Sequence, residues 1–509
     1  MMMKKNQKGV ALILTLILLA VLSVMAVSLL FMAQAETWSG MNYRLMTQAR
    51  YGAEAGVQKA ANFIQSTSYT APTAAQINTN FNVLSSPVLY NGQPAGLSAN
   101  TSIGANNYPI SSDTTNFATA GTGSLTAGNT TVNYSAYAKL LSIQSFTGYP
   151  AANSSVVEKW EIKSDGTVAG VRNAKVRVSA IMERQKSPSF AYAAFATQSG
   201  CGALSFGGGG STDSYDSTSI TYSGGNVVTQ SYGGNVGTNG NLSASGSKTT
   251  INGSLSTPRA GTGSCSTNTV TALSTNGNAS VTGGITELPQ SVTYDTPPAP
   301  TPTPTNTAMT VANNNPSCTG IPSCSLTNGN NDMVITAGTS SGSATQLGAL
   351  TIKGNLHFAP PAGTAAGSIV YINVYSLNSN GNPNIYIDPI PGTSPAQYAQ
   401  IVVNVAAAGT IDLTGSSLSN PSMIPGNFQI LYGGTSQVTI NGGTQTASLI
   451  YAPNAPFKLN GGGNLYGAVV AGQVTDLGGG AIHYDRSLQK QFYQLGNYML
   501  SAFNWEKYN

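Results

Sequence analysis

Two pairs of carboxylates have the residue types a glycoside-cleaving site requires: Asp213 with Asp216 in "STDSYDS", and Asp476 with Asp485. Such chemistry needs two carboxyl groups roughly 5–10 Å apart across the bond. Asp and Ser in a glycine-rich stretch more often close side-chain turns, which favours a structural reading of both pairs. His483 stands beside Asp485 in "AIHYDR", and His357 is isolated in "GNLHFA". Neither is accompanied by a placed nucleophile or a G-x-S-x-G elbow. Gly207–Gly210 lacks the Gly-Lys-Ser/Thr that completes a phosphate loop. Four cysteines, Cys201, Cys265, Cys318 and Cys324, permit three pairings. Pairing Cys318 with Cys324 across "TGIPS" is the simplest and leaves Cys201 for Cys265. A zinc site is the alternative reading, disfavoured because no C-x-x-C spacing occurs and neither histidine is near a cysteine. No catalytic residue, metal or cofactor is therefore expected. Tyr215, Tyr222, Tyr232, Tyr432, Tyr451, Tyr466 and Tyr484 offer flat amphipathic faces suited to a carbohydrate or surface ligand, or to packing.

The elements that would carry these residues belong to an exported protein. Of 509 residues only 7% are charged, while 58 are glycine and 40% are hydrophobic. An average soluble domain has about 25% charged residues. The surface must then be wetted by hydroxyls and amides, as in extracellular β-rich proteins. A net charge of +4 from so few groups gives no basic stretch able to neutralise a run of phosphates, so a nucleic-acid partner is not expected. The run from Gly9 to Ala35 carries no charge, and about 20 helical residues suffice to cross a bilayer core. Lys4, Lys5 and Lys8 precede it, which places the N-terminus in the cytoplasm and the remainder outside. Ala33-Gln34-Ala35 would suit a secretory cleavage site, but an apolar signal core is only about 7–15 residues long. Beyond the run, Trp38, Met41, Leu45, Ala49, Gly52, Gly56, Ala60 and Phe63 recur at steps of three and four, the spacing of a helix with one buried stripe. One helix is expected from Val10 to about Gln65, about 84 Å long at 1.5 Å per residue.

Lys8-Gly9 followed by Val10-Ala11-Leu12-Ile13-Leu14, together with Gly52-Ala53-Glu54-Ala55-Gly56, resembles the N-terminus of type IV pilins with a class III-like leader, and most closely the PilX-type minor pilins. The resemblance covers about the first 65 residues. It implies cleavage after Gly9 by a prepilin peptidase, methylation of the new amino group on Val10, and packing of the helix among other major and minor pilins through a pilus assembly platform. One position departs from the family pattern. Major pilins carry a glutamate five residues after the cleavage point, where this chain has Leu14. A subunit without that carboxylate cannot neutralise a neighbour's terminal amine, and an unpaired charge in low dielectric is costly. Leu14 therefore suits the fibre tip, as in the large tip pseudopilins of type II secretion.

Residues 66 to about 130 give little pattern. Then "TVNYSAYAKL" (131–140), "VVEKWEI" (156–162) and "AKVRVSAIME" (174–183) alternate with period two, and Ser164-Asp165-Gly166 reads as a turn. Glu158, Lys159, Glu161 and Lys163 read as a solvated strand face. From Phe190 short apolar runs alternate with Asn-Gly turns such as Asn239-Gly240 and Asn460-Gly461. "VTING" (438–442) matches "FKLNG" (457–461) nineteen residues on, and "QILYG" (429–433), "SLIYA" (448–452) and "AVVAG" (468–472) recur at nineteen and twenty. A unit this small cannot bury its own face, so stacked coils of a β-helix are expected, with a β-sandwich as the alternative. The proline-rich "DTPPAPTPTPTNT" (295–307) reads as a semi-rigid spacer or long surface loop. Leu488, Phe492, Leu495, Met499 and Phe503 fall at helical spacing and predict an amphipathic helix capping the open end of the stack. The stretches "LIYAPNAPFKLNGGGNLYGAVVAG" and "GGAIHYDRSL" also resemble an uncharacterised domain often fused behind PilX-like N-termini.

The expected layout is an α+β pilin module followed by an all-β domain. Residues 1–9 form a leader, 10–65 the membrane-crossing and amphipathic helix, and 66–189 a head with a small antiparallel sheet. Residues 190–485 form a β-solenoid interrupted by 295–307, and 486–509 a C-terminal helix. The function expected is that of a minor pilin, held in the inner membrane before assembly and displayed outside the cell afterwards. A static membrane-anchored adhesin and a surface polysaccharide-acting enzyme are the competing readings.

Overall fold

No proline interrupts the sequence between Lys8 and Gln65, and those residues form one continuous α-helix of 58 residues. The computed structural model describes residues 8–127, 130–150, 154–168 and 173–507, so most of the leader, with Lys4 and Lys5, lies outside the described residues. The chain divides into two compact units. One comprises Met1–Thr147, Ser154–Lys186 and Leu495–Asn509, the other Gly148–Asn153 and Ser187–Gln494.

In the first unit the helix changes character midway. Its N-terminal half is exposed all round, whereas Ala49, Ala53, Val57, Ala60, Ala61 and Ile64 are buried against a sheet ordered Tyr493–Lys507, Ala174–Pro188, Ser154–Val168, Thr130–Thr147, Gly96–Ser98, with Thr122–Ala127 also pairing to Thr130–Thr147. The central pairings are antiparallel, with Trp160 opposite Leu140 on one side and Met182 on the other. Period two puts Leu140, Trp160, Ile162, Val178, Ala180 and Met182 on the covered face. Residues 66–130, which show little pattern as sequence, contain the helices Ala74–Asn80 and Ser111–Ala120. Thr73 and Gln76 close a capping box on the first of these.

Two expected elements fail in this unit. Ser164-Asp165-Gly166 is not a turn but the middle of Ser154–Val168. Asp165 pairs with Arg177 and Lys175 on the adjacent strand, and Gly166 faces the helix. The C-terminal helix expected over 486–509 is also absent. Arg486–Lys490 makes a short 3-10 turn and Tyr493–Lys507 is a strand at the edge of the sheet. Tyr493, Tyr498, Phe503 and Trp505 have strand propensity, Gly496 disfavours helix, and Tyr498 and Leu500 pack on the core at spacing two. The solenoid sequence is thus inserted between two neighbouring strands of one sheet.

The second unit is a parallel β-solenoid. One column of register partners runs Ile372, Val403, Ile430, Ile450, Val469, Ala194, Val236, Leu255, Ile285. A second runs Leu350, Leu377, Ile411, Val438, Phe457, Val474, Leu204, Leu242, Leu273. These stacked apolar side chains form the core, except Ile285 at the end of the first column, which is exposed, and Leu273, which is partly buried. Val438 lies opposite Phe457, and the nineteen-to-twenty spacing of 429–472 is the chain length of one coil, although Gln429 meets Leu449 rather than Ser448.

The coils do not stack in sequence order. The chain enters mid-stack at Ala194–Ala196, winds to Ile285–Glu287 at one end, and resumes at Ala308–Val311 near the other. It then winds back until Asn464–Asp476 pairs with the first coil. The connecting segment, which includes the proline-rich stretch, lies along the stack. Val292 exchanges two 2.8 Å hydrogen bonds with the Asn239 side chain, Tyr451 Oη donates to the Asp295 carbonyl at 2.8 Å, and Asn373 donates to the Thr301 carbonyl at 3.3 Å.

Candidate assembly surface on the N-terminal helix

Val10, Leu14 and the large apolar residues on to Met32 are all exposed; Val10 is 61% and Leu14 62% accessible. An apolar window of this helix reaches a mean hydropathy of 3.0 with none of it buried. Leaving each Leu, Ile or Phe in water forgoes about 1.5–3 kcal/mol relative to burial, so this half of the helix requires lipid or other apolar helices around it. The first acidic residue of the chain is Glu36; hence no carboxylate on this segment could meet a terminal amine.

The lower half explains the small residues. A Cβ built on Gly166 would fall 2.5 Å from the Ala53 nitrogen and closer still to the Ala49 carbonyl oxygen. Gly52 approaches Val132, and Gly56 approaches Ser164 and Tyr134. The Gly-Ala-Glu-Ala-Gly element is therefore the place where the helix backbone seats on the sheet. Its glutamate turns outward: Glu54 accepts from Arg50 Nε at 2.8 Å in an i,i+4 pair. Small residues let the helix backbone approach the sheet, and Val57, Phe63 and Ile64 bury beside them.

The remaining candidates all belong to the second unit. Cys201 is joined to Cys265 and Cys318 to Cys324. His483 pairs through Nδ1 with Asp213 of the adjoining coil, not with Asp485. Asp213 also accepts from Thr229 at 2.7 Å, and Asp485 accepts from the Ser217 and Ser487 amides. Asp216 accepts from its own neighbour Thr218. Asp476 is buried beside the Gly478–Gly480 turn, and burial pushes its carboxyl up to about 7. His357 Nδ1 meets Asp388 at 2.8 Å and stacks on Tyr386. Among the tyrosines, Tyr215, Tyr432, Tyr451, Tyr466 and Tyr484 are packed inside, while Tyr222 and Tyr232 are exposed.

Sequence reasoning missed Glu158, which is buried rather than solvated. Tyr69 Oη donates to Glu158 Oε1 at 2.7 Å, Tyr69 and Tyr108 share a 2.6 Å hydrogen bond, and Trp160 Nε1 donates weakly at 3.4 Å. Desolvation raises the carboxyl to about 7 despite these hydrogen bonds. Parity was the available signal, because Glu158 shares a strand face with Trp160 and Ile162. Lys139, Glu161 and Lys163 form ion pairs on the opposite face.

Comparison with known families agrees with the geometry of the helix. Residues 8–58 match the family model described as PilX N-terminal. The chain carries a PilX-type N-terminus. Residues 377–491 match a domain of unknown function, DUF7305, so the PilX-type helix and the solenoid coils are fused in one chain. Neither a curated protein nor a solved structure matches. The PilX-type match points to a structural pilin family, and the long apolar helix is compatible with a membrane anchor.

Proposed function

We propose that this chain is a minor pilin of a type IV pilus-like system, cleaved after Gly9 by a prepilin peptidase and methylated on Val10. The carrying observation is an exposed apolar helix seated by Gly52, Gly56 and Gly166, in a segment that matches the PilX N-terminal model. Before assembly the helix resides in the inner membrane with the lysines in the cytoplasm. Assembly moves it from lipid into the bundle of neighbouring pilin helices, engaging the assembly platform, and leaves the solenoid displayed outside for surface or carbohydrate contact. Leu14 supports a position at the tip, where no neighbour's amine needs a carboxylate.

The processing test is Gly9→Val. A branched side chain before the scissile bond obstructs the peptidase, so the variant should accumulate as a longer membrane-retained precursor. Normal maturation and fibre incorporation of Gly9→Val would reject the reading. A static membrane-anchored adhesin is the second reading, favoured by the large displayed solenoid, and it expects Gly9→Val to change nothing. The tip position has its own test in Leu14→Glu. At a tip the new carboxylate has no partner and incorporation falls or stays level, whereas improved incorporation would place the subunit in the shaft.

A further inference from the structure

The edge strand Tyr493–Lys507 presents an unusual surface. Met499, Phe503 and Trp505 are each more than half exposed, although Tyr498 and Leu500 of the same strand pack inward. The strand stands at the end of the sheet order, and between Leu495 and Trp505 it carries no charged residue. Exposed edge strands of this length are ordinarily guarded by lysine, proline or a cover, because they offer a template for another chain. Here Ala502, with φ of 53°, is the one irregularity among its described residues. The Trp505 ring lies under the Arg50 guanidinium at 5.5 Å, beside exposed Tyr51 on the helix. The aromatic patch thus adjoins the same helix whose upper half is bare.

We infer that this edge, through Met499, Phe503 and Trp505, is the docking site for the head of a neighbouring pilin subunit in the fibre. The inference rests on the pilin reading above. Lipid is the other apolar medium, but Arg50 lies fifteen residues beyond Ala35, about 22 Å along the helix axis at 1.5 Å per residue. That exceeds the headgroup layer, which adds only about 5–8 Å on each side of the hydrocarbon. A neighbour whose helix packs beside Val10–Ala35 brings its own head to this height. Beyond Tyr493, which bridges to Gly148, apolar and aromatic side chains on an edge strand are the chemistry that strand addition and aromatic anchoring use.

The test uses the full chain in cells that assemble fibres, with p-benzoylphenylalanine replacing Phe503 in one variant and Val24 in another. Irradiation should join position 503 to a pilin subunit, identified by mass spectrometry of the crosslinked peptide, and position 24 to a pilin helix. Capture of a pilin at 24 with lipid, self-contacts or nothing at 503 would overturn the inference and leave the pilin reading intact. Capture of no pilin at either position would defeat both. In parallel, Phe503→Ser with Trp505→Ser should lower fibre incorporation about tenfold, equivalent to about 1.4 kcal/mol, with the melting temperature of the unassembled chain unchanged. Full incorporation of that double variant would also overturn the inference.

Discussion

Glu158 ties the stability of the first unit to pH. Its carboxyl, ordinarily near 4.5, is raised to about 7 by burial, so the folded state holds a proton that the unfolded state releases. Stability therefore falls as pH rises from about 4.5 to about 7, by on the order of 3 kcal/mol for this group. Asp165, lowered despite its burial by Arg177 and Lys175, is ionised in both states over that window and does not oppose the trend. In detergent the first unit should melt at a higher temperature at pH 5.5 than at pH 8, and Glu158→Gln should reduce that unit's dependence, while Asp476, raised likewise, acts on the second unit. An unchanged slope in Glu158→Gln would contradict the assignment. Parity along "VVEKWEI" already put Glu158 with Trp160; the adjacent Lys159, with Glu161 and Lys163 beyond it, gave the stretch the charge of a solvated face. Asp213 and His483 are 270 residues apart in sequence, and no local pattern could pair them.

At the scale of elements, the long helix was legible because composition and spacing agree along its whole length. Its seat was half legible: Gly52 and Gly56 stand out in the sequence, whereas Gly166 imitates a turn residue. Gly166→Ala should separate helix from sheet and cost about 1–3 kcal/mol, read as a lower melting temperature of the first unit. A neutral result would show that the helix can shift without penalty. The C-terminal strand was misread because Leu488, Phe492, Leu495, Met499 and Phe503 imitate a helical stripe. In fact these residues divide: Leu488 is buried in the solenoid core and Phe492 packs against it, while Met499 and Phe503 remain outside. Spacing records which residues are apolar, and it cannot say that they serve different units.

Across the whole molecule, the stacked coils were foreshadowed by the nineteen-to-twenty residue repeat, but their order was not. Which coil follows Val474 in space depends on Leu204 presenting a matching apolar column, information that no linear repeat holds. The return segment must therefore cross the stack, and Asn239 pins it through two side-chain hydrogen bonds to Val292, while a third, to the Thr197 carbonyl, holds the Asn239 side chain to the first coil. Asn239→Ala should free residues near Val292 and Tyr294 for early cleavage by a broad-specificity protease, with later loss of the coils. Resistance equal to the native chain would argue that Tyr294, packed 4.9 Å from Phe195, holds the segment alone. The central claim is that the helix is a processed pilin handle, and the mature N-terminus tests it most directly. Mass spectrometry of protein recovered from cells should find N-methylated Val10 as the first residue. A chain beginning at Met1 would mark a static anchor, and one beginning at Glu36 a secreted protein; either would contradict the account.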